Sequence, residues 1–299
     1  MKSYLVGSRA VAALTVIQMG FAAPVSAQSD EAIEAARRIN ISGRQRMLSQ
    51  RISKAACFLN TGPETTGASR QLADAVALFE TSLQALLQGD ENIGIGPEKN
   101  QPVREALLGV EKDWEAFTAH LQPALENGNV APQALAVIDK SGLQLLTDMN
   151  RTVNKTAHVY GDVLPDMPLI LALTIDLAGR QRMFTQKAAK EFCLIDKGVD
   201  VEENRARLAK TTQYFTFTLG ALQDGMPGTV MAAPNDQIRG QLEKVLNAWT
   251  GPKAALESAA AGNPITDAQR NVIAKDMEQV LVLMNKAVGM YEKAIPAPE

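Results

Sequence analysis

Ile39-Asn-Ile-Ser-Gly-Arg-Gln-Arg-Met-Leu-Ser-Gln-Arg-Ile-Ser-Lys-Ala-Ala-Cys57 occurs a second time in this chain, as Ile175-Asp-Leu-Ala-Gly-Arg-Gln-Arg-Met-Phe-Thr-Gln-Lys-Ala-Ala-Lys-Glu-Phe-Cys193. Both copies contain Gly-Arg-Gln-Arg-Met, and Gln50/Gln186, Lys54/Lys190 and Cys57/Cys193 keep one offset of 136. A repeat of this length is one structural unit used twice. The repeated segment is basic, which folding of a helix does not require, so function is sought there first.

The correspondence runs well past the segment. Phe79 matches Phe215, Trp114 matches Trp249, and Met149-Asn150 matches Met284-Asn285, at offsets of 136, 135 and 135. Between turn signals, apolar residues recur at helical spacing: Leu72, Val76, Phe79 and Leu83 in one stretch, Leu107, Val110, Trp114, Phe117 and Leu121 in the next. This predicts helices over 29–59, 69–87, 103–125 and 132–160, then over 167–195, 202–222, 235–260 and 265–294. No convincing strand pattern is present. The fold class is therefore all-α, two tandem up-and-down four-helix bundles. Such a bundle has both termini at one end. Residues 161–168 form a short linker in which Pro165 and Pro168 break the helix. The predicted domains are 28–160 and 169–299. They can lie side by side as a pseudo-dimer with parallel first helices, or stack end to end.

Residues 1–27 read as a cleaved signal peptide. Lys2 and Arg9 give the positive start, 10–23 the apolar centre, and Val25-Ser26-Ala27 the small-residue cleavage site. The apolar run is short for a bilayer span, which disfavours an uncleaved anchor. Loss of Lys2 and Arg9 moves the formal charge from -3 to -5. Further along, 164–177 is interrupted by Pro165, Asp166, Pro168 and Asp176, so no transmembrane segment is expected in the mature chain. The expectation is a periplasmic or otherwise exported protein. A mildly acidic chain without a basic stripe excludes nucleic acid as a natural partner.

A helix turns about 100° per residue, so positions 7 or 11 apart return to nearly one face. Ile41, Leu48, Ile52, Ala55 and Leu59 form a core stripe, echoed by Leu177, Phe184, Ala188 and Ile195. A second stripe carries Ile39, Gly43, Arg46, Gln50, Ser53 and Cys57, with Ile175, Gly179, Arg182, Gln186, Ala189 and Cys193 as its partner. Small residues beside one Arg and one Gln suit a close helix approach that leaves a polar pocket. The alternative is a solvated face, but such a face need not repeat its Gly, Arg, Gln and Cys. Were the stripes to meet, Arg46 and Arg182 would converge and repel unless an anion lay between them. Their planar forks match a small oxyanion such as nitrate, nitrite, carboxylate or phosphate.

These residues resemble the PilJ-type domain, the N-terminal sensor module of type IV pilus methyl-accepting chemotaxis transducers. They are also similar to the periplasmic sensor of nitrate/nitrite histidine kinases. The family's box, roughly Ile-Asn-x-Ala-Gly-x-x-Arg-Met-x-Ser-x-Arg, stands here at 39–51 and again, less perfectly, at 175–187. The resemblance implies a nitrate site between paired first helices, with Arg46 and Arg182 as the anion contacts. This chain departs from the nitrate kinases, which carry a Lys where Ile41 and Leu177 stand. No kinase or methyl-accepting region follows the sensor units in the sequence. The resemblance therefore supports ligand sensing more strongly than nitrate.

Each repeat has one Cys, so a disulfide between Cys57 and Cys193 would join the repeats, or else join two chains; two separately buried thiols are the alternative. Such a bond requires side-by-side, parallel bundles. His120 and His158 are isolated, and no metal-ligand spacing, nucleophile–base pair or phosphate loop stands out. No cofactor and no enzymatic activity are expected. The sequence thus points to an exported sensor that binds a small anion through Arg46, Arg182, Gly43, Gly179, Gln50 and Gln186. Its signal would pass to a membrane receptor or other envelope protein. The rivals are a ligand-free structural scaffold, with both arginines salt-bridged, and an uptake-binding protein closing a deep cleft.

Overall fold

The computed structural model describes residues 30–59, 65–163 and 169–294. The predicted signal peptide and most of the predicted linker fall outside these residues. Eight long helices are described: α1 (Asp30–Phe58), α2 (Thr65–Gln88), α3 (Gln101–Asn127), α4 (Pro132–Val163), α5 (Leu169–Asp196), α6 (Val201–Asp224), α7 (Asp236–Ala260) and α8 (Asp267–Lys293). Among the described residues the only extended pairing is two isolated bridges, Asp90 with Ile95 and Met226 with Val230. They occupy equivalent loops of the two repeats.

Local chemistry sets the helix ends. Asn100 and Asn235, again 135 apart, cap α3 and α7 by accepting from the backbone N–H of Val103 and Ile238. Thr266 and Gln269 form a reciprocal capping box on α8. Gly128 ends α3 in the left-handed region, at φ 65°, where a side chain would be strained. The fourth helix runs on to Val163, past the predicted stop at 160. Gly161 alone does not break it, and its missing side chain lets it lie against Leu169 and Ala172 at the start of α5.

Within each repeat the helices pack in sequence order and close on themselves, α4 returning to α1 and α8 to α5. Phe79 stacks on Trp114 at 4.1 Å between ring centroids, and Phe215 meets Trp249 at 4.2 Å. Met149 and Met284 are completely buried in the two cores. The repeated aromatic and Met positions are thus the centres of two copies of one core.

The bundles lie side by side, with α1 packed along α5. Gly43 opposes Gly179, and Cys57 is disulfide-bonded to Cys193 with a Cα–Cα separation of 6.2 Å. Both contacts join residues 136 apart, so α1 and α5 run parallel and in register about an approximate two-fold axis. Each therefore has a bundle core on one side and its counterpart on the other. That explains why Ser42, Gln45, Ser49 and Gln50 are as buried as Ile39 and Ile52. The predicted core stripe of α1 is buried throughout, whereas Leu177, Phe184 and Ile195 of α5 are only partly so. The second stripe, from Ile39 to Cys57 and from Ile175 to Cys193, is fully covered, which removes the solvated-face alternative.

Candidate functional site

The close approach of α1 and α5 is centred on Gly43 and Gly179. Glycine is needed here for space: a Cβ on Gly43 would lie 3.3 Å from Nη2 of Arg46 and 3.5 Å from Nη2 of Arg182. A Cβ on Gly179 would lie 3.4 Å from each of the same two atoms. Both guanidiniums therefore wrap the same crossing, one from each repeat. Arg46 is 0% and Arg182 3% exposed, so both charges are withdrawn from water.

Each arginine reaches across the axis to the other repeat's backbone. Nη2 of Arg46 donates to the carbonyl of Asp176 at 3.2 Å, and Nη2 of Arg182 donates to the carbonyl of Asn40 at 3.0 Å. Nη1 turns instead to an asparagine of the same bundle, Asn150 for Arg46 at 3.4 Å and Asn285 for Arg182 at 3.5 Å. These long contacts come from the repeated Met-Asn pairs on α4 and α8. The Nε of both arginines is buried with no hydrogen-bond partner among the described residues.

The symmetry fails in charge. The Asp176 side chain approaches Nη2 of Arg46 to 2.6 Å, off the axis of a hydrogen bond, and its other oxygen accepts from Arg180 at 2.9 Å. The equivalent residue facing Arg182 is Asn40, whose amide donates to Glu292 and whose Oδ1 is buried without a partner. Burial, then repulsion from Arg44 and Arg46, pushes the Arg182 guanidinium down to about 9, only partly opposed by Glu292. Arg46 is also lowered by burial, but Asp176 acts in the opposite direction. A downward shift on an arginine signals an expensive charge rather than a neutral side chain. Arg182 is the under-compensated cation of the pair.

The other predicted site residues divide. Gly43, Gly179, Arg46 and Arg182 come together. Gln50 instead donates to the carbonyl of Gly142 within its own bundle at 3.1 Å, and Gln186 accepts from Arg51 across the axis at 3.4 Å. Neither amide is hydrogen-bonded to Arg46 or Arg182. Sequence reasoning did not assign Asn150, Asn285, Asn40 or Asp176 to the site. The Asn150/Asn285 repeat was the available signal for the first two, and the Asn-to-Asp change between copies for the others.

Below the crossing, the remaining basic residues of the repeat hold the bundles together. Lys54 and Arg51 of α1 both reach Glu278 on α8, the latter at 2.6 Å. Lys190 of α5 reaches Asp139 on α4, which also accepts from Arg207 at 2.9 Å. Each repeat thus sends its Lys to a carboxylate on the fourth helix of the other. Burial pushes both Lys54 and Lys190 down, outweighing their carboxylates. These ion pairs fix register at a desolvation cost rather than adding large net stability. The disulfide lies on this same side of the crossing.

Among the described residues no helix is long and apolar enough to cross a membrane, and no cluster of His, Cys, Asp and Glu could hold a metal ion. A family model, PilJ, described as the type IV pili methyl-accepting chemotaxis transducer N-terminal region, matches residues 27–139 and 171–286. No curated protein and no solved structure matches the chain.

Proposed function

The chain belongs to the PilJ family, as two tandem copies of that sensory, signal-transduction domain, and from that premise we propose that it is an exported receptor for a small oxyanion. The anion, nitrate- or nitrite-like in size, binds where α1 crosses α5 and is held by Arg46 and Arg182. The observation that carries this reading is the convergence of two buried guanidiniums on one glycine crossing with a single carboxylate in contact. Such a charge excess is costly in a low-dielectric site and is relieved by a bound anion. Planar forks from two sides suit a planar ligand.

Signal follows from where the helices are pinned. Cys57 and Cys193 lie 11 residues beyond the arginines, about 16 Å along the helices. The disulfide and the Lys54 and Lys190 pairs hold that half of the interface. An anion drawing the guanidiniums together therefore acts on the opposite ends, where α1 and α5 begin and where Glu292 of α8, through Asn40 and Arg37, resists a change of splay. A partner, a membrane receptor or other envelope protein, reads that change, provided the anion binds the two arrangements with different affinity. The disulfide and the Lys54 and Lys190 pairs across the interface oppose the cleft closure of an uptake protein.

A second reading has its own observation. The Arg46–Asp176 ion pair is what a scaffold that no longer binds a ligand would keep. Calorimetric titration with nitrate, nitrite, phosphate and small carboxylates separates the two. Binding that is lost in Arg46→Ala and in Arg182→Ala supports the receptor. No binding at millimolar anion supports the scaffold, and binding retained in the double variant places the site elsewhere.

A further inference from the structure

Away from the α1–α5 crossing, α6 and α7 enclose a groove of about 690 Å³ on the second bundle. That volume lies within the range of small-molecule sites, roughly 300–1,000 Å³. Small side chains, among them Thr212 of α6 and Ala260 of α7, leave the space. Phe217 lines it and is 61% exposed, so its ring is free to meet another. Lys253 and Glu257, also in the lining, pair with each other at 3.2 Å.

Two threonines one turn apart on α6 line the groove and differ in how they are satisfied. Thr216 donates to the carbonyl of Thr212 at 2.9 Å and accepts from the indole N–H of Trp249 at 3.1 Å. Thr212 is 3% exposed, and its Oγ1 has no hydrogen-bond partner among the described residues. A hydroxyl buried without a partner is costly, so its presence needs a reason.

The fold does not supply that reason, because the first repeat manages without it. At the equivalent positions, 136 apart on α2 and 135 apart on α3, stand Val76 for Thr212, Thr81 for Phe217 and Leu125 for Ala260. The first repeat therefore has an apolar group in place of the unpaired hydroxyl, no ring at the Phe217 position, and a large side chain where the second has a methyl. Hydroxyl, aromatic face and room occur together in one repeat only.

We propose that this groove is a ligand site of the second repeat for a small, uncharged aromatic molecule bearing a hydroxyl or ring N–H. Its ring packs on Phe217, which favours an aromatic partner. Its polar group hydrogen-bonds Oγ1 of Thr212. The two lining charges already neutralise each other, so the groove holds no excess charge to attract an ion. The proposal draws on no residue of the arginine crossing and does not depend on the anion reading.

The test is fluorescence titration of the intact, disulfide-bonded protein with 2-naphthol, in wild type and three variants that copy the first repeat, with a thermal melt on each. Thr212→Val is expected to weaken binding roughly two- to tenfold, the size of one neutral hydrogen bond. Phe217→Thr should weaken it by a similar factor through loss of the ring contact. Ala260→Leu should weaken it roughly tenfold or more, because the added carbons occupy the groove. Phe217 is exposed, so that variant still decides the matter if another fails to fold. No binding at millimolar 2-naphthol overturns the proposal, as does binding that Phe217→Thr and Ala260→Leu leave unchanged. Binding weakened by those two but not by Thr212→Val also overturns it, since a plain apolar groove would behave in that way.

Discussion

Gly43 and Gly179 face each other across the α1–α5 crossing so closely that a Cβ on one would stand 3.9 Å from the Cα of the other. The same Cβ would press on both guanidiniums. The contact couples helix packing to the charge site.

Replacing Gly43 by Ala tests that coupling. Ala is favoured over Gly in a helix by about 1 kcal/mol. Against this stands a contact of 3.3–3.5 Å with the ends of two flexible side chains, which yield by a few tenths of an ångström. The two effects nearly cancel, so the melting temperature should stay within a few degrees. The arginine geometry does not survive the shift, and anion affinity should fall. A large loss of stability would show that the crossing cannot relax.

Arg46 and Arg182 should separate in stability although they occupy equivalent places. Arg182→Met removes a buried cation without a contacting carboxylate and should raise stability by about 1 kcal/mol or more. Arg46→Met leaves Asp176 buried with Arg180 alone and should lower it by about 1–3 kcal/mol. Denaturant unfolding of the two variants reads the difference directly. Equal effects would mean that Asp176 does not distinguish them.

The elements of the fold were legible because repetition supplied a second reading of each. Phe79 with Phe215 and Trp114 with Trp249 marked equivalent core positions, and most helix limits followed from Gly and Pro, although α2 begins at Thr65, four residues before its predicted start, and runs through Gly67. The end of α4 was not legible, since Gly161 looks like a stop and serves as a packing contact with α5. At the site, the 7- and 11-residue spacings placed Gly43, Arg46 and Cys57 on one face, and that face is where α1 meets α5. Periodicity gives the face but not the reach of a side chain. Gln50 shares the stripe, yet its amide finds the Gly142 carbonyl in its own bundle. The Asn40-to-Asp176 change between copies marks the position of the carboxylate but not its contact, because its partner Arg46 lies 130 residues away and only the assembled interface brings them together.

Acid should loosen the clamp between the bundles. Burial raises the Glu278 carboxyl, but Lys54 and then Arg51 outweigh it and hold it down at about 2, from an ordinary 4.5. A carboxyl with a depressed folded value stabilises fully above the unfolded value and loses that contribution as pH falls from 4.5 toward 2. The stake is up to about 3 kcal/mol. Thermal melts across this range should show the loss, and Glu278→Gln should flatten it while lowering stability at neutral pH. An acid limb unchanged in that variant would assign the titration to other carboxyls.

Reduction of the disulfide should be felt chiefly by the unfolded chain. The bond between Cys57 and Cys193 closes a loop of 136 residues. In the chain-entropy description a loop of that length is worth about 5 kcal/mol. The folded interface is held independently by the Lys54 and Lys190 pairs and by the packing of α1 on α5, so the reduced protein should keep its helical content at room temperature. Circular dichroism with and without reductant should show the same spectrum and a much lower melting temperature. Because both sulfurs are buried, reduction in the native state should be slow and should speed up sharply near the melting transition. Rapid reduction of the folded protein would show instead that this end of the α1–α5 interface opens without unfolding, and the pinned end required for signalling would be lost.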